Sequence, residues 1–132
     1  GKFSLIDERG EIIENVDLKK FKDLMVVVGE GAAKNTAELF SLLETQPELK
    51  RLVRTAIWVG GRRWNLRMSE EIKVRLPEKN ADDALARLAK YEKSHKILGQ
   101  DIKIVDLRFP DRLVINKGHK KTNINVIFGQ ET

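Results

Sequence analysis

The stretch from Val53 to Leu76 constrains the fold more than any other part of this chain. Val53, Thr55, Ile57 and Val59 stand at alternate positions, and the pattern stops at Gly60-Gly61. Trp64, Leu66 and Met68 then alternate with Arg63, Asn65 and Arg67. After Ser69-Glu70-Glu71, Ile72, Val74 and Leu76 alternate with Lys73 and Arg75. Successive side chains of a strand point to opposite faces. Three such runs joined by short turns therefore predict an antiparallel meander with one apolar and one basic face.

The flanking segments fit around that meander. Phe3 to Ile13, broken at Glu8-Arg9-Gly10, reads as a short hairpin, and Met25-Val26-Val27-Val28 as a buried strand ending at Gly29-Glu30-Gly31. Asn35 with Glu38 has the form of a capped helix start, followed by Leu39, Leu42 and Leu43 at helical spacing. Pro47 closes this helix or opens a further short turn. Asn80 is an N-cap candidate with Asp82 and Asp83 in the first turn of a second helix. Ala81, Ala84, Leu85 and Leu88 trace its apolar side to about Lys96, and Gly99 suits its termination. Strand-like runs at Ile102 to Val105 and Leu113-Val114-Ile115 follow, separated by Phe109-Pro110-Asp111. Ile124 to Phe128 is a last apolar patch. Hairpins dominate this order, so the expected fold is α+β: an antiparallel curved sheet with two main helices, near 35–46 and 80–96, packed on one face. Residues 1–116 form the expected domain and 117–132 a basic C-terminal tail.

A chain of 132 residues suits one domain and buries enough surface to need no disulfide or metal staple. It has no cysteine, which removes thiol catalysis and thiolate metal sites together. No apolar run approaches the ~18–20 residues that span a bilayer, and no secretory signal opens the sequence. These residues alone read as soluble, as an excised piece of a membrane protein would. The net charge of +5 describes a mixed surface with a basic bias.

Catalytic and metal-binding patterns are absent from the sequence. His95 and His119 are far apart, and neither has a second ligand at metal spacing. No nucleophile elbow surrounds Ser4, Ser41, Ser69 or Ser94. Gly29-Glu30-Gly31 lacks the remaining residues of a dinucleotide or phosphate loop and reads as a turn. Asp82-Asp83 falls where a helix start favours negative charge. Gly60-Gly61-Arg62-Arg63-Trp64 has the ingredients of a nucleic-acid contact, against the plainer reading of a hairpin turn whose Trp64 faces the core. The expectation is no catalytic residue, no cofactor and no metal. Leu113-Val114-Ile115 is short, apolar and last before the polar tail. As a sheet edge its unpaired backbone groups would accept a partner strand. The same run reads equally well as an internal strand.

Several segments resemble a known family in the right order. Ser4-Leu5-Ile6-Asp7-Glu8-Arg9-Gly10, the run to Val28-Gly29-Glu30-Gly31-Ala32, and the pair Gly60 to Arg67 and Ile72 to Pro77 are similar to segments of the extracytoplasmic β domain of the FtsQ/DivIB family. Ala84-Leu85-Ala86-Arg87-Leu88 resembles its second helix. Val105-Asp106-Leu107-Arg108-Phe109-Pro110-Asp111-Arg112 resembles its VDLR strand and following turn, the most specific of these matches. The matches run from about Ser4 to Asn116, and Lys117 to Thr132 has no counterpart.

The resemblance implies a non-enzymatic scaffold of the bacterial divisome that binds FtsB and FtsL, with a segment of FtsB adding as a strand to the last strand of this domain. It implies that the chain is a piece of a longer inner-membrane protein. In that protein a single transmembrane helix outside this chain holds the domain in the periplasm, enriched at the division septum. The positions matching the family's contact surface are Phe109, Arg112, Leu113, Val114 and Ile115. Arg62, or Arg63 if the alignment shifts by one, matches an arginine that pairs with an acidic partner residue. Arg63, Arg67, Lys73 and Arg75 add electrostatic steering. The competing readings are a basic nucleic-acid-binding module, whose affinity would fall steeply with salt, and an enzyme with an unrecognised site.

Overall fold

The computed structural model describes residues 3–6, 12–13, 25–68, 72–99, 101–117 and 123–127, with side chains described within 25–68, 72–98 and 101–117. Nine strands form one sheet among these residues: β1 Phe3–Ile6, β2 Ile12–Ile13, β3 Val26–Val28, β4 Val53–Val59, β5 Arg63–Met68, β6 Lys73–Arg75, β7 Ile104–Asp106, β8 Arg112–Asn116 and β9 Asn123–Ile127. Their spatial order is β2-β1-β3-β4-β5-β6-β7-β8-β9, an open sheet with β2 and β9 at its ends. Three α-helices accompany it among the described residues: α1 Thr36–Glu44, α2 Pro47–Lys50 and α3 Ala81–His95.

The expected meander is present, but its first strand is turned over. After a register shift between Val53 and Thr55, Ala56 points into the core, while Ile57, expected on the apolar face, shares the opposite face with Asn65 and Arg75. β4 and β5 pair antiparallel in the register Ala56↔Leu66, Ile57↔Asn65 and Trp58↔Trp64, and β5 and β6 as Leu66↔Val74 and Arg67↔Lys73. Gly60 and Gly61 both take positive φ, 61° and 69°, and the Arg62 amide donates to the Val59 carbonyl at 3.1 Å. The register Val59↔Arg63 leaves three residues, Gly60, Gly61 and Arg62, in the turn, and positive φ at two of them is why two glycines stand there. The Trp58 and Trp64 rings lie 4.8 Å apart across the hairpin. The turn expected at 69–71 lies outside the described residues.

The expectation of an antiparallel, curved sheet with two main helices on one face is corrected in its topology. The sheet is mixed. β3 pairs parallel with β4, and β6 parallel with β7. A parallel neighbour needs a crossover long enough to return the chain to the same end. α1 and α2 supply it between β3 and β4, and α3 between β6 and β7. Pro47 opens α2 as its first residue rather than closing α1, as suits its fixed φ and missing N–H.

Both predicted N-caps behave differently from expectation. Asn35 precedes α1 without a side-chain cap bond; its Nδ2 donates back to the Gly31 carbonyl at 2.9 Å. Asn80 precedes α3 at φ 60°, also without a side-chain cap bond. α3 ends at Lys96, held at φ 50°, before Gly99 is reached. The Leu98 amide donates to the Glu92 carboxylate at 3.0 Å and fixes the exit from the helix.

One row of side chains crosses the sheet and builds the core. Val27, Ala56, Leu66, Val74, Val105 and Ile115 are neighbours strand by strand, and each is at most 2% exposed. They join Leu39 and Leu43 of α1 and Leu85 and Leu88 of α3 in one cluster. The neighbouring row, Val28, Ile57, Asn65, Arg75, Asp106 and Val114, lies on the opposite face. A Cβ added at Gly29 would fall 2.6 Å from the Trp58 carbonyl oxygen, so the Gly29-Glu30-Gly31 turn exists to let two backbones approach.

Candidate interaction surface

The most concentrated charge chemistry lies on that opposite face. Asp106, on β7, is largely buried, with its side chain 10% exposed. Arg108 grips it with two charge-assisted bonds, Nε to Oδ1 at 2.9 Å and Nη2 to Oδ2 at 2.8 Å, while its backbone amide donates to Oδ1 at 3.1 Å. Arg75 of β6 adds an ion pair at 3.6 Å. Burial by itself raises the Asp106 carboxyl pKa, but the Arg108 hydrogen bonds and the nearby guanidinium charges outweigh it and hold it below the ordinary carboxylate range. Arg63 shares the neighbourhood and, among the described residues, has no ion pair within 4 Å, though the Asp106 charge acts on it. Burial lowers its pKa, repulsion from Arg108 and Arg75 lowers it further, and its Nη1 donates to the Asn65 amide oxygen. The sheet thus gathers Arg63, Arg75 and Arg108 around a single carboxylate.

The registers show where the sequence-predicted residues meet. Asn65↔Arg75, Arg75↔Asp106 and Asp106↔Val114 form one row. Two positions further along, position 63 lies in line with 77, 108 and 112. The β4–β5 turn bearing exposed Arg62 and the 109–112 turn therefore occupy the same end of the sheet. Three strand spacings, roughly 14 Å, separate them. Two clefts open there. One, of about 370 Å³, is lined by Trp58, Arg62, Trp64, Glu78 and Asp82; the other, of about 460 Å³, by Asp83, Arg87, Arg108, Phe109 and Pro110; Pro77 and Asn80 belong to both. Phe109, 40% exposed, is the exposed large hydrophobic side chain among the described residues.

Arg112 pairs with its neighbour Asp111 at 3.1 Å, and each holds the other in its charged form. Leu113 and Ile115 point into the core at 0% and 2% exposure, with Val114 half-buried between them. The reading of Leu113–Ile115 as a free C-terminal edge is corrected. β8 pairs with β7 on one side and with β9 on the other, in the register Leu113↔Val126, Val114↔Asn125 and Ile115↔Ile124. β9 arises inside the stretch expected to be a basic tail, because Asn123 to Ile127 carries enough alternating apolar character to add one more strand.

Arg87 was not singled out from sequence as a site residue. From α3 its Nη1 donates to the carbonyl oxygens of Phe109 and Pro110, each at 3.0 Å, and so pins the turn that leads into β8. An arginine on the polar side of a helix gives no hint of a partner 22 residues away. Asp106 did carry a signal, since an acid inside an otherwise apolar strand run demands a buried partner.

Trp64 is 6% exposed and packs in the core, so its ring is not offered to a base. His95 stacks on Tyr91 with ring centroids 4.2 Å apart, and His119 lies outside the described residues. Among the described residues no group of three or more His, Cys, Asp or Glu gathers at metal-binding distance, and no helix is long and apolar enough to cross a membrane.

Fold and surface together define a class: an α+β domain on one open mixed sheet, with arginines crowded at one end beside an exposed aromatic. Comparison with known proteins narrows the class. The family model described as cell division protein FtsQ/DivIB, C-terminal, matches residues 1–108. The chain is similar to the cell division protein FtsQ of Bradyrhizobium diazoefficiens, 39% identical over 115 residues, which is 87% of this chain and 34% of that protein. It is 37% identical over 114 residues to the FtsQ of Rhizobium radiobacter, covering 86% of this chain and 54% of the relative. With the FtsQ of Rickettsia prowazekii the identity is 38% over 113 residues, 86% of this chain and 42% of the relative. This chain belongs to the FtsQ/DivIB family of cell-division proteins. It spans between about a third and about a half of the length of these relatives.

Proposed function

We propose that this domain is a non-enzymatic scaffold of the bacterial division machinery that binds FtsB and FtsL at the C-terminal side of its sheet, by addition of a partner strand. In this reading it belongs to an inner-membrane protein with a single transmembrane helix elsewhere in the longer chain, and it works in the periplasm at the division septum. The observation that carries the reading is that Arg108, Phe109 and Arg112 lie beside the last strands of the sheet, with Arg62 at the same end of it. The arginines supply attraction and orientation for an acidic partner segment. Phe109 supplies an apolar anchor of the kind that dominates interface energetics. Backbone pairing at a sheet edge supplies an affinity that depends little on partner sequence. The burial of Trp64 favours this reading over nucleic-acid binding, because it withdraws the aromatic of the basic turn from stacking on a base.

Isothermal calorimetry with the extracytoplasmic part of FtsB tests the proposal. Arg62 is exposed on the β4–β5 turn, so Arg62→Glu should change stability by no more than about 0.5 kcal/mol. It should weaken binding at least tenfold, about 1.4 kcal/mol, by setting like charge against the partner. Unchanged affinity in a folded variant removes Arg62 from the surface. No binding by the unmodified domain defeats the proposal as a whole.

A further inference from the structure

The strand that a partner would have to add to is already occupied. β8 presents one edge to β7 and the other to β9, and β9 holds five consecutive register pairs with it, from Arg112↔Ile127 to Asn116↔Asn123. Among the described residues β9 is the terminal strand of the sheet and pairs with β8 alone. It follows Lys117-Gly118-His119-Lys120-Lys121-Thr122, and two of its five residues, Asn123 and Asn125, are poor strand formers. A strand held by one ladder at the edge of a sheet sits at the low end of local stability, where opening costs far less than global unfolding. β8, by contrast, keeps its β7 ladder whatever β9 does.

We infer that β9 is an intramolecular stand-in: it covers the outer edge of β8 and is displaced when a partner strand pairs there. The inference rests on the strand-addition reading above and adds its control. Position by position, β9 specifies what replaces it. Apolar residues belong opposite Leu113 and Ile115, and polar ones opposite Val114 and Asn116. β9 runs antiparallel to β8, so its C-terminal end reaches Arg112, at the arginine-crowded end of the sheet. The five residues after Ile127, Phe128-Gly129-Gln130-Glu131-Thr132, carry one carboxylate side chain. The fitting competitor is an extended protein segment of the same alternation, followed by several acidic residues. Such a segment places its carboxylates beside Arg108 and Arg112. Because β9 acts at the high effective concentration of a tethered segment, it filters out weak or uncharged strands.

The chain has no cysteine, so Val114→Cys with Asn125→Cys installs one bridge between directly paired positions of β8 and β9. The probe is a synthetic peptide of residues 118–132, added at millimolar concentration, as competition with a tethered copy requires, and followed by NMR shifts of β8 amides. Reduced protein should bind the peptide at least tenfold more tightly than the oxidised, locked form. No shifts in the reduced form would overturn the inference, and so would equal binding in both states, which places the peptide outside β9. Hydrogen exchange of the unmodified chain gives a second reading if the double variant misfolds. β9 amides should exchange at least a hundredfold faster than β5 amides, and equal protection would overturn displacement. If the peptide exchanges with β9 but the FtsB segment binds in neither redox state, displacement stands and the partner assignment falls.

Discussion

The hairpins β4–β5 and β8–β9 are both antiparallel, yet they are built to opposite ends. β4–β5 sits in mid-sheet, closed by a two-glycine turn and pinned by the Trp58–Trp64 contact, with Ala56 and Leu66 fully buried between its neighbours. β8–β9 ends the sheet. Its inner strand is anchored by Leu113, Ile115 and the Arg87-held turn, while its outer strand follows a polar connection and has a single neighbour. Where a strand is paired on both sides, side-chain burial and two ladders fix it. Where it is paired on one side, the same backbone chemistry that holds it also accepts a substitute.

Substitutions can break this contrast, beginning with the largest effect. Val114→Pro places a residue without a donor in a strand paired on both sides, and it should destabilise the domain by about 3 kcal/mol, measured by urea denaturation. A variant as stable as the parent would show that the pairing of β8 at Val114 contributes little to the fold.

Next, Asp106→Ala removes the carboxylate that Arg108 and Arg75 share and leaves the arginines facing one another; the expected loss is about 1–3 kcal/mol. The pH dependence has a definite sign. The folded pKa of Asp106 lies below the unfolded value near 4, so its contribution is present above about pH 4 and is lost as pH falls through the lower, folded value. Asp106→Asn should therefore flatten the acid limb of the stability profile, and a limb of unchanged steepness would assign acid sensitivity to other groups.

Gly61→Val forces a branched residue to φ 69° in the tight turn, at a cost of about 1–2 kcal/mol. Thermal melting checks it, and a neutral result would show that the first hairpin does not depend on its turn. The smallest effect belongs to Val126→Pro in β9, expected to cost less than about 1 kcal/mol because it disturbs one terminal ladder. The same variant should bind the FtsB segment more tightly in calorimetry. Equal costs for Val114→Pro and Val126→Pro would erase the distinction between the two strands.

Much of this molecule was legible along the chain. Alternation at Trp64, Leu66 and Met68 and at Ile72, Val74 and Leu76 identified the meander, and it correctly separated an apolar from an arginine-bearing face. Gly60-Gly61 marked the turn, and the leucine spacings marked α1 and α3. These signals are local: a period of two or 3.6 residues declares which side of an element is buried, wherever the element ends up. The segment-by-segment likeness to the FtsQ/DivIB family, borne out by comparison, came from the same local runs.

Only the tertiary structure decided which strands are neighbours. Nothing in Val26–Val28 or Ile104–Asp106 announces a parallel partner, because strand direction depends on how the helical crossover returns the chain. The grip of Arg75 on Asp106, and that of Arg87 on the 109–112 turn, join residues distant in sequence, and a single sequence does not state such distances. Whether Leu113–Ile115 is an edge depended on whether Asn123–Ile127 would pair with it. An edge is a property of what lies beside a strand, and its own residues, apolar and alternating either way, cannot encode the presence or absence of a neighbour.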